Sequence, residues 1–426
     1  MKNEKNLTLS VFVFVFCLIL STAVFAENIT ITLWDILTES EALTPALKDA
    51  IARFEEDHPN VKINHIPTQN DDYKTKLRIA MGANNEPDIF MTWGSESLKM
   101  YIDEGKVYNL SSHMKEGWLD NFAATALDLG TFNGDCYGIP VQGITPALLW
   151  YRTDIFEKYN LKAPETYEEL LTVVKILKSS GITPFALANK TMWTGMEYYM
   201  YLIDRIGGAE AFPKALNRKG AFNDEPFIET GRRIQELVNM GAFPEGVNGL
   251  DENAGQSRML LYTDKAAMYL IGTWSYGIMK QENEAILDKL DLINFPAIEG
   301  GKGDPSNLMG ASGSNFYSIA SSSKHKKEAV EFLKYLSDAK MAQAVLNSGN
   351  MTAVAGVKDL ITDPFIKKIY EFGQQANSVQ PWYDQVLPLE LAEVHLNTTQ
   401  ALFGNRLTPE EAANKMEAAA QEYFGE

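Results

Sequence analysis

Cysteine is almost missing from this chain: Cys17 and Cys136 are the only two in 426 residues. Cys17 lies in a segment expected to be removed, so no internal disulfide is available and stability has to come from packing. Histidine is scarce as well. His58, His65, His113, His325 and His395 are widely spaced, and none forms the helical pair that zinc enzymes use, so no metal site is expected. There is no glycine-rich phosphate loop with a following lysine, no dinucleotide fingerprint and no Gly-x-Ser-x-Gly elbow, so no cofactor is expected. Gly310-Ala-Ser-Gly-Ser314 matches an elbow only in composition and reads as a turn. Basic charge is short too, with 38 Lys and Arg against 56 Asp and Glu. Such a field repels phosphate backbones and anionic lipid, so no nucleic-acid partner is expected.

The first apolar run, Val11 to Leu20, has ten residues, well short of the roughly 20 that a membrane-spanning helix needs. Lys2 and Lys5 precede it, and Ser21, Thr22 and Val24-Phe25-Ala26 follow, the layout of a secretion signal cleaved near Ala26. Bulky Val15 and Phe16 stand before Cys17 where a lipobox has small residues, so lipid anchoring is not expected. Removing residues 1–26 takes away two lysines and one glutamate, leaving 36 basic and 55 acidic side chains, a balance of −19. No later apolar stretch is long enough to span a membrane. The remaining length, with 45% hydrophobic residues, exceeds what one core usually supports and points to two domains of roughly 200 residues or fewer.

Ile29-Thr-Ile-Thr-Leu-Trp34 alternates as a strand, and Leu47, Ile51 and Phe54 recur at helical spacing after it. Val61 to Ile66 alternates again, Tyr73 to Met81 reads as helix, and Pro87 to Met91 as a short buried strand. Repeated strand-helix alternation implies an α/β fold with mostly parallel sheets. Thr166 with Glu169, and Thr408 with Pro409 and Glu411, carry capping boxes that predict helix starts. The densest Gly/Pro/Ser stretch, Pro296 to Ser314, is the candidate crossing between domains.

What the chain does have is seven tryptophans: Trp34, Trp93, Trp118, Trp150, Trp193, Trp274 and Trp382. Several close strands or sit in turns, and ligands of parallel α/β sheets bind at the carboxyl ends of strands. A sugar ring packs its C–H face on a flat aromatic while its hydroxyls need acceptors and donors. Trp34 with Asp35 and Glu39, Trp93 with Glu96, Trp193 with Glu197, and Trp382 with Asp384 offer both. Large aromatics also dominate cores, and Trp118 and Trp150, embedded among helix or strand residues, read as packing. Paired carboxylates of a hydrolase stay open on these grounds, because sequence does not give their separation.

The order of Glu86-Pro-Asp-Ile-Phe-Met-Thr-Trp-Gly94, Gly138-Ile-Pro-Val-Gln-Gly143, Leu149-Trp-Tyr-Arg-Thr-Asp-Ile-Phe156, Gly272-Thr-Trp-Ser275 and Ser314-Asn-Phe-Tyr-Ser-Ile-Ala-Ser321 resembles the extracellular sugar-binding proteins of bacterial ABC importers, the solute-binding group that includes maltose-binding protein. The resemblance covers the whole chain after the signal. It implies a two-lobed periplasmic-binding-protein fold, each lobe a mostly parallel sheet flanked by helices, with the ligand cleft between. On this resemblance lobe one holds 27–141 plus 303–347 and lobe two holds 142–302 plus 348–426, with crossings near Val141 to Gly143, Pro296 to Lys302 and Ser348 to Ala353. The implied site places Trp274 where a sugar ring stacks and Gln142 on a crossing strand. Glu39, Asp72, Glu96 and Gly313 fall in first-lobe contact loops, and Trp193 and Trp382 with Asp384 in second-lobe ones. The implied role is capture of a carbohydrate, an oligosaccharide given several stacking platforms, by a monomer in the periplasm. Delivery is to the permease subunits of an ABC transporter, with no catalytic residue. A secreted carbohydrate-active enzyme, or a binder of a non-sugar solute such as a polyamine, are the alternatives.

Overall fold

The computed structural model describes residues 28–114 and 117–425, so the expected signal and its cleavage near Ala26 lie outside the described residues. The alternating segment at Ile29 forms the first strand and buries Ile31, Leu33 and Asp35 on one side. The main strands are β1 (Ile29–Asp35), β2 (Val61–Pro67), β3 (Ile89–Thr92), β4 (Ile139–Gln142), β5 (Thr145–Arg152), β6 (Thr183–Phe185), β7 (Ala266–Gly272), β8 (Leu290–Ile293), β9 (Leu308–Ala311), β10 (Ser314–Ile319) and β11 (Val379–Gln380).

One sheet has the order β2-β1-β3-β10-β4; β10 is antiparallel to both neighbours and the other strands share one direction. The second runs β11-β9-β5-β7-β6 with β8 also paired to β5, and here β5 alone is reversed. The α/β class therefore holds, but with one reversed strand inside each sheet the pairings are mixed rather than mostly parallel. Strand β7 is buried along its whole length, as expected where both faces are covered. In β5 the period of two sends Ala147 and Leu149 into one core and Leu148 and Trp150 into another. Leu33, Phe90, Ile139 and Tyr317 of the first sheet join Phe54 and Leu333 from flanking helices in a third core. Both predicted capping boxes form, at Thr166 before helix Tyr167–Ser179 and at Thr408 before helix Pro409–Phe424.

The chain passes between the sheets from β4 to β5 through Gly143 and Ile144, and back from β9 to β10 through Ser312 and Gly313. These two passages are themselves paired antiparallel, with Ser314 opposite Gln142, Ala311 opposite Thr145 and Gly310 opposite Pro146. A third segment lies alongside: Thr352 bridges Gln142, and the Gly143 N–H donates to the Met351 carbonyl at 2.9 Å. The return crossing thus differs from the expected Pro296 to Lys302, and β9 still belongs to the second sheet. The glycines there serve close packing instead. A Cβ at Gly301 would fall 2.1 Å from the Arg205 carbonyl oxygen, and one at Gly303 2.2 Å from that of Asp204, so only glycine lets this loop lie on the end of helix Trp193–Gly207.

Candidate functional site

Between the sheets lies a cleft of about 350 Å³, with Gln142, Ser314, Asn315 and Asn350 of the crossing segments at its base. That is within the range of small-molecule sites. Of the residues singled out from sequence, Trp93, Gln142, Trp193, Glu197, Trp274, Trp382 and Asp384 line it together.

The tryptophans are positioned by helix starts. Trp193 opens helix Trp193–Gly207 just after Met192, whose φ of +65° lies in the left-handed region. Trp274 opens helix Trp274–Glu282, and Trp382 immediately precedes helix Tyr383–Val386. The Trp274 ring centroid lies 6.0 Å from that of Trp193 at 58° and 5.5 Å from that of Trp382 at 72°. The rings form an angular wall rather than a parallel stack. Gly272 makes room for it, since a Cβ there would fall 2.0 Å from the Trp274 ring. Trp93 comes from the first-sheet side, with the Lys74 ammonium 5.0 Å from its ring centroid.

Against this wall stand polar atoms with no side-chain partner among the described residues: the Trp193 Nε1–H, both carboxylate oxygens of Glu197, and Oδ1 of Asp384. Glu197 is fully buried and follows Trp193 by four residues, which puts both on one helix face. Burial drives its carboxyl well above the usual range, and the charges of Glu252 and Asp384 add to that, with the Gly272 amide offsetting a part. The Glu41 carboxyl is pushed up to about 7, mainly by burial, with Arg258 opposing and Asp35 and Glu282 reinforcing. Glu252, also buried, accepts from the Tyr269 hydroxyl at 2.6 Å, from Arg258 Nη1 at 2.9 Å and from the Ser257 hydroxyl. Arg258 is held on its other side by Glu282 at 2.9 and 3.0 Å. Against the cost of burial, these bonds keep the Glu282 carboxyl below its usual range.

Five of the expected contact residues do not line the cleft. Trp34 follows the period of two in β1: with Ile31, Leu33 and Asp35 buried on one side, its ring faces the other, under the Lys76 ammonium 4.1 Å away. Glu39 points to solvent in an ion pair with Lys48 at 2.5 Å. Asp72 is exposed in the first turn of helix Asn70–Gly82, where a carboxylate complements the helix dipole. Glu96 opens helix Glu96–Asp103 outside the cleft, partly buried, with its carboxyl raised by that burial. Gly313 packs on the chain, a Cβ there falling 2.1 Å from the Ala126 carbonyl oxygen. Trp118 and Trp150 are core residues: the Trp118 Nε1–H donates to the Ser337 hydroxyl at 2.7 Å, and Trp150 stacks on Tyr276. Sequence reasoning missed Glu41, Lys74, Glu252 and Arg258. Glu41 follows β1 in the same loop as Glu39, so the strand-end rule could have reached it; the other three carry no local signal.

The two sides meet across the mouth. On helix Asn70–Gly82, Asp71 accepts from the Asn253 amide at 2.7 Å, Lys74 reaches Asp384 at 3.5 Å and Arg78 reaches Glu393 at 3.6 Å. Spacings of three and four put these residues on one face of the helix, and that face bridges the two sides of the cleft.

Residues 39–343 match the model of the bacterial extracellular solute-binding protein family. An ABC transporter extracellular-binding protein of Pyrococcus horikoshii is 26% identical over 253 residues, covering 58% of this chain and 55% of that one, so the chain spans just over half the length of that relative. The multiple sugar-binding protein of Streptococcus mutans is 26% identical over 344 residues, 78% of this chain and 77% of the relative. A solved structure concerned with xylan utilization by the thermophilic bacterium Caldanaerobius polysaccharolyticus aligns with a TM-score of 0.86 and 33% identity, covering 92% of this chain and 99% of the other.

Proposed function

The chain belongs to the bacterial extracellular solute-binding proteins, and from that premise we propose that it captures an oligosaccharide by hinge closure and hands it to the permease subunits of an ABC importer. The observation that carries this reading is the pairing, in one cleft, of four tryptophan faces with unpartnered polar atoms on Trp193, Glu197 and Asp384. Leaving buried polar groups unpaired is costly. A sugar offsets that cost, because its hydroxyls donate to the carboxylates while its C–H faces cover the rings. The multiple-sugar binding in the name of the Streptococcus mutans relative and the xylan context of the Caldanaerobius structure agree with this choice, and xylo- and galacto-oligosaccharides head the candidates.

In this proposal the protein works as a monomer outside the cytoplasmic membrane, its signal removed near Ala26, and turns nothing over. Lobe one comprises the chain through β4 and from β10 to the third crossing near Thr352; lobe two comprises the remainder. A ligand shifts the open and closed forms only by its different affinity for them, so Trp93, Lys74 and Glu41 on one side and Trp193, Glu197, Trp274 and Trp382 on the other act as a pair of jaws. The test is a thermal-shift screen over mono- and oligosaccharides with spermidine included, since a ligand that binds only the folded state raises Tm. An oligosaccharide giving the largest shift, with no product formed on long incubation, is expected. A larger shift with spermidine would transfer the reading to a cationic solute, and product formation would make the protein an enzyme.

A further inference from the structure

We infer that the cleft selects uncharged oligosaccharides and rejects those bearing a uronic acid or another anionic group. This deepens the sugar-capture reading and rests on it. Its basis is the inventory of acidic and basic groups in the lining, where among the described residues Glu41, Glu197, Glu252, Glu282 and Asp384 stand against two cations, Lys74 and Arg258.

Both cations are committed. Arg258 is gripped by Glu252 through Nη1 and by Glu282 through Nε and Nη2, so each of its three nitrogens already faces a carboxylate. Lys74 is shared between Asp384 at 3.5 Å and the Trp93 ring face. Recognition of a carboxylate or sulfate is strongest with donors of matching charge, and among the described residues both cations of this wall already face carboxylates. Of the polar atoms left without a side-chain partner, none carries positive charge: the Trp193 Nε1–H is neutral, the fully buried Glu197 carboxyl, one helical turn beyond Trp193, is held toward its neutral form by burial, and Asp384 Oδ1 can only accept while ionised. Hydroxyls suit them. An anionic group brought there meets like charge in a closed, poorly solvated space, where repulsion is screened little. Asp71 at the mouth, already bonded to Asn253, adds a further negative side chain along the way in.

Calorimetric titration of the purified protein with matched pairs tests this: xylotriose against xylotriose carrying glucuronic acid, and galactotriose against trigalacturonate. Wherever a neutral member binds, its acidic partner is expected to be weaker by roughly a hundredfold or more. In Asp384→Asn and, independently, Glu282→Gln, that gap is expected to shrink by about tenfold as one like charge is removed, with circular dichroism used to verify the fold of each variant. An acidic saccharide bound within tenfold of its neutral partner, or bound where the neutral one is not, overturns the inference while leaving sugar capture standing. So does a gap unchanged in both variants. If neither pair binds and no saccharide of the thermal-shift screen does, the sugar reading itself falls, and this inference with it.

Discussion

Trp274 depends on a residue that has no side chain. Replacing the indole by alanine removes a stacking face from the middle of the wall, and truncation of such a central aromatic typically costs 2 kcal/mol or more, so Trp274→Ala is expected to weaken the oligosaccharide that binds best by about thirtyfold. Gly272→Ala is expected to do nearly as much without touching the ring's chemistry, because its Cβ would sit 2.0 Å from the ring and force it out of place. Far-ultraviolet circular dichroism unchanged in both, with affinity lost in both, is the outcome to look for. Glu41 gives a prediction in pH. Its folded value of about 7 lies above the ordinary carboxylate value of 4.5, so the folded protein holds a proton there that the unfolded chain has released. The contribution of Glu41 to stability is therefore full below pH 4.5 and is lost as pH rises through 7. Glu41→Gln is expected to flatten this part of the dependence of Tm on pH without ligand. The tryptophans were legible because large aromatics in turns at strand ends are unusual enough to mark a site. Trp34 misled because strand alternation decides its side of the sheet, and adjacency to Asp35 does not. Arg258 and Glu252 were invisible because their partners come from separate elements brought together only by folding.

At the scale of elements, helix Asn70–Gly82 does two jobs, covering the first sheet with Tyr73 and Leu77 and offering Asp71, Lys74 and Arg78 to the opposite side. Its outward contacts are largely solvent-exposed, and each such pair is worth only a few tenths of a kcal/mol to about 1 kcal/mol. They exist when the cleft is shut, so their removal should act on opening. The double variant Asp71→Ala, Arg78→Ala is expected to speed ligand release several-fold in stopped-flow tryptophan fluorescence while association changes little; equal dissociation rates would remove the helix from the closing contacts. The capping boxes at Thr166 and Thr408 were readable because their bonds join residues three apart in sequence. The return crossing was not readable for the opposite reason. A run rich in Gly and Pro looks alike whether it bridges two lobes or nestles against the carbonyls of Asp204 and Arg205, and only the distant helix distinguishes the cases.

At the scale of the whole molecule, three adjacent segments carry all the traffic between the sheets, and Gly143 lies where they touch. A Cβ at Gly143 would come within 2.3 Å of the Thr352 carbonyl oxygen, so Gly143→Ala must spread the segments. Small-angle scattering is expected to show a smaller contraction on ligand addition than in the unsubstituted protein, together with weaker binding; a full contraction would mean that the hinge bends elsewhere. The interleaving of the lobes also governs the order in which the chain acquires its shape. Strand β10 lies inside the first sheet, between β3 and β4, yet it is made by residues 314–319, after nearly all of the second sheet has been spelled out. A chain emerging from its N-terminus therefore lacks the strand between β3 and β4 until about three quarters of it has been made. Until β10 arrives, β4 has no neighbour to join it to β3, so the first sheet can be completed only after most of the second has been made.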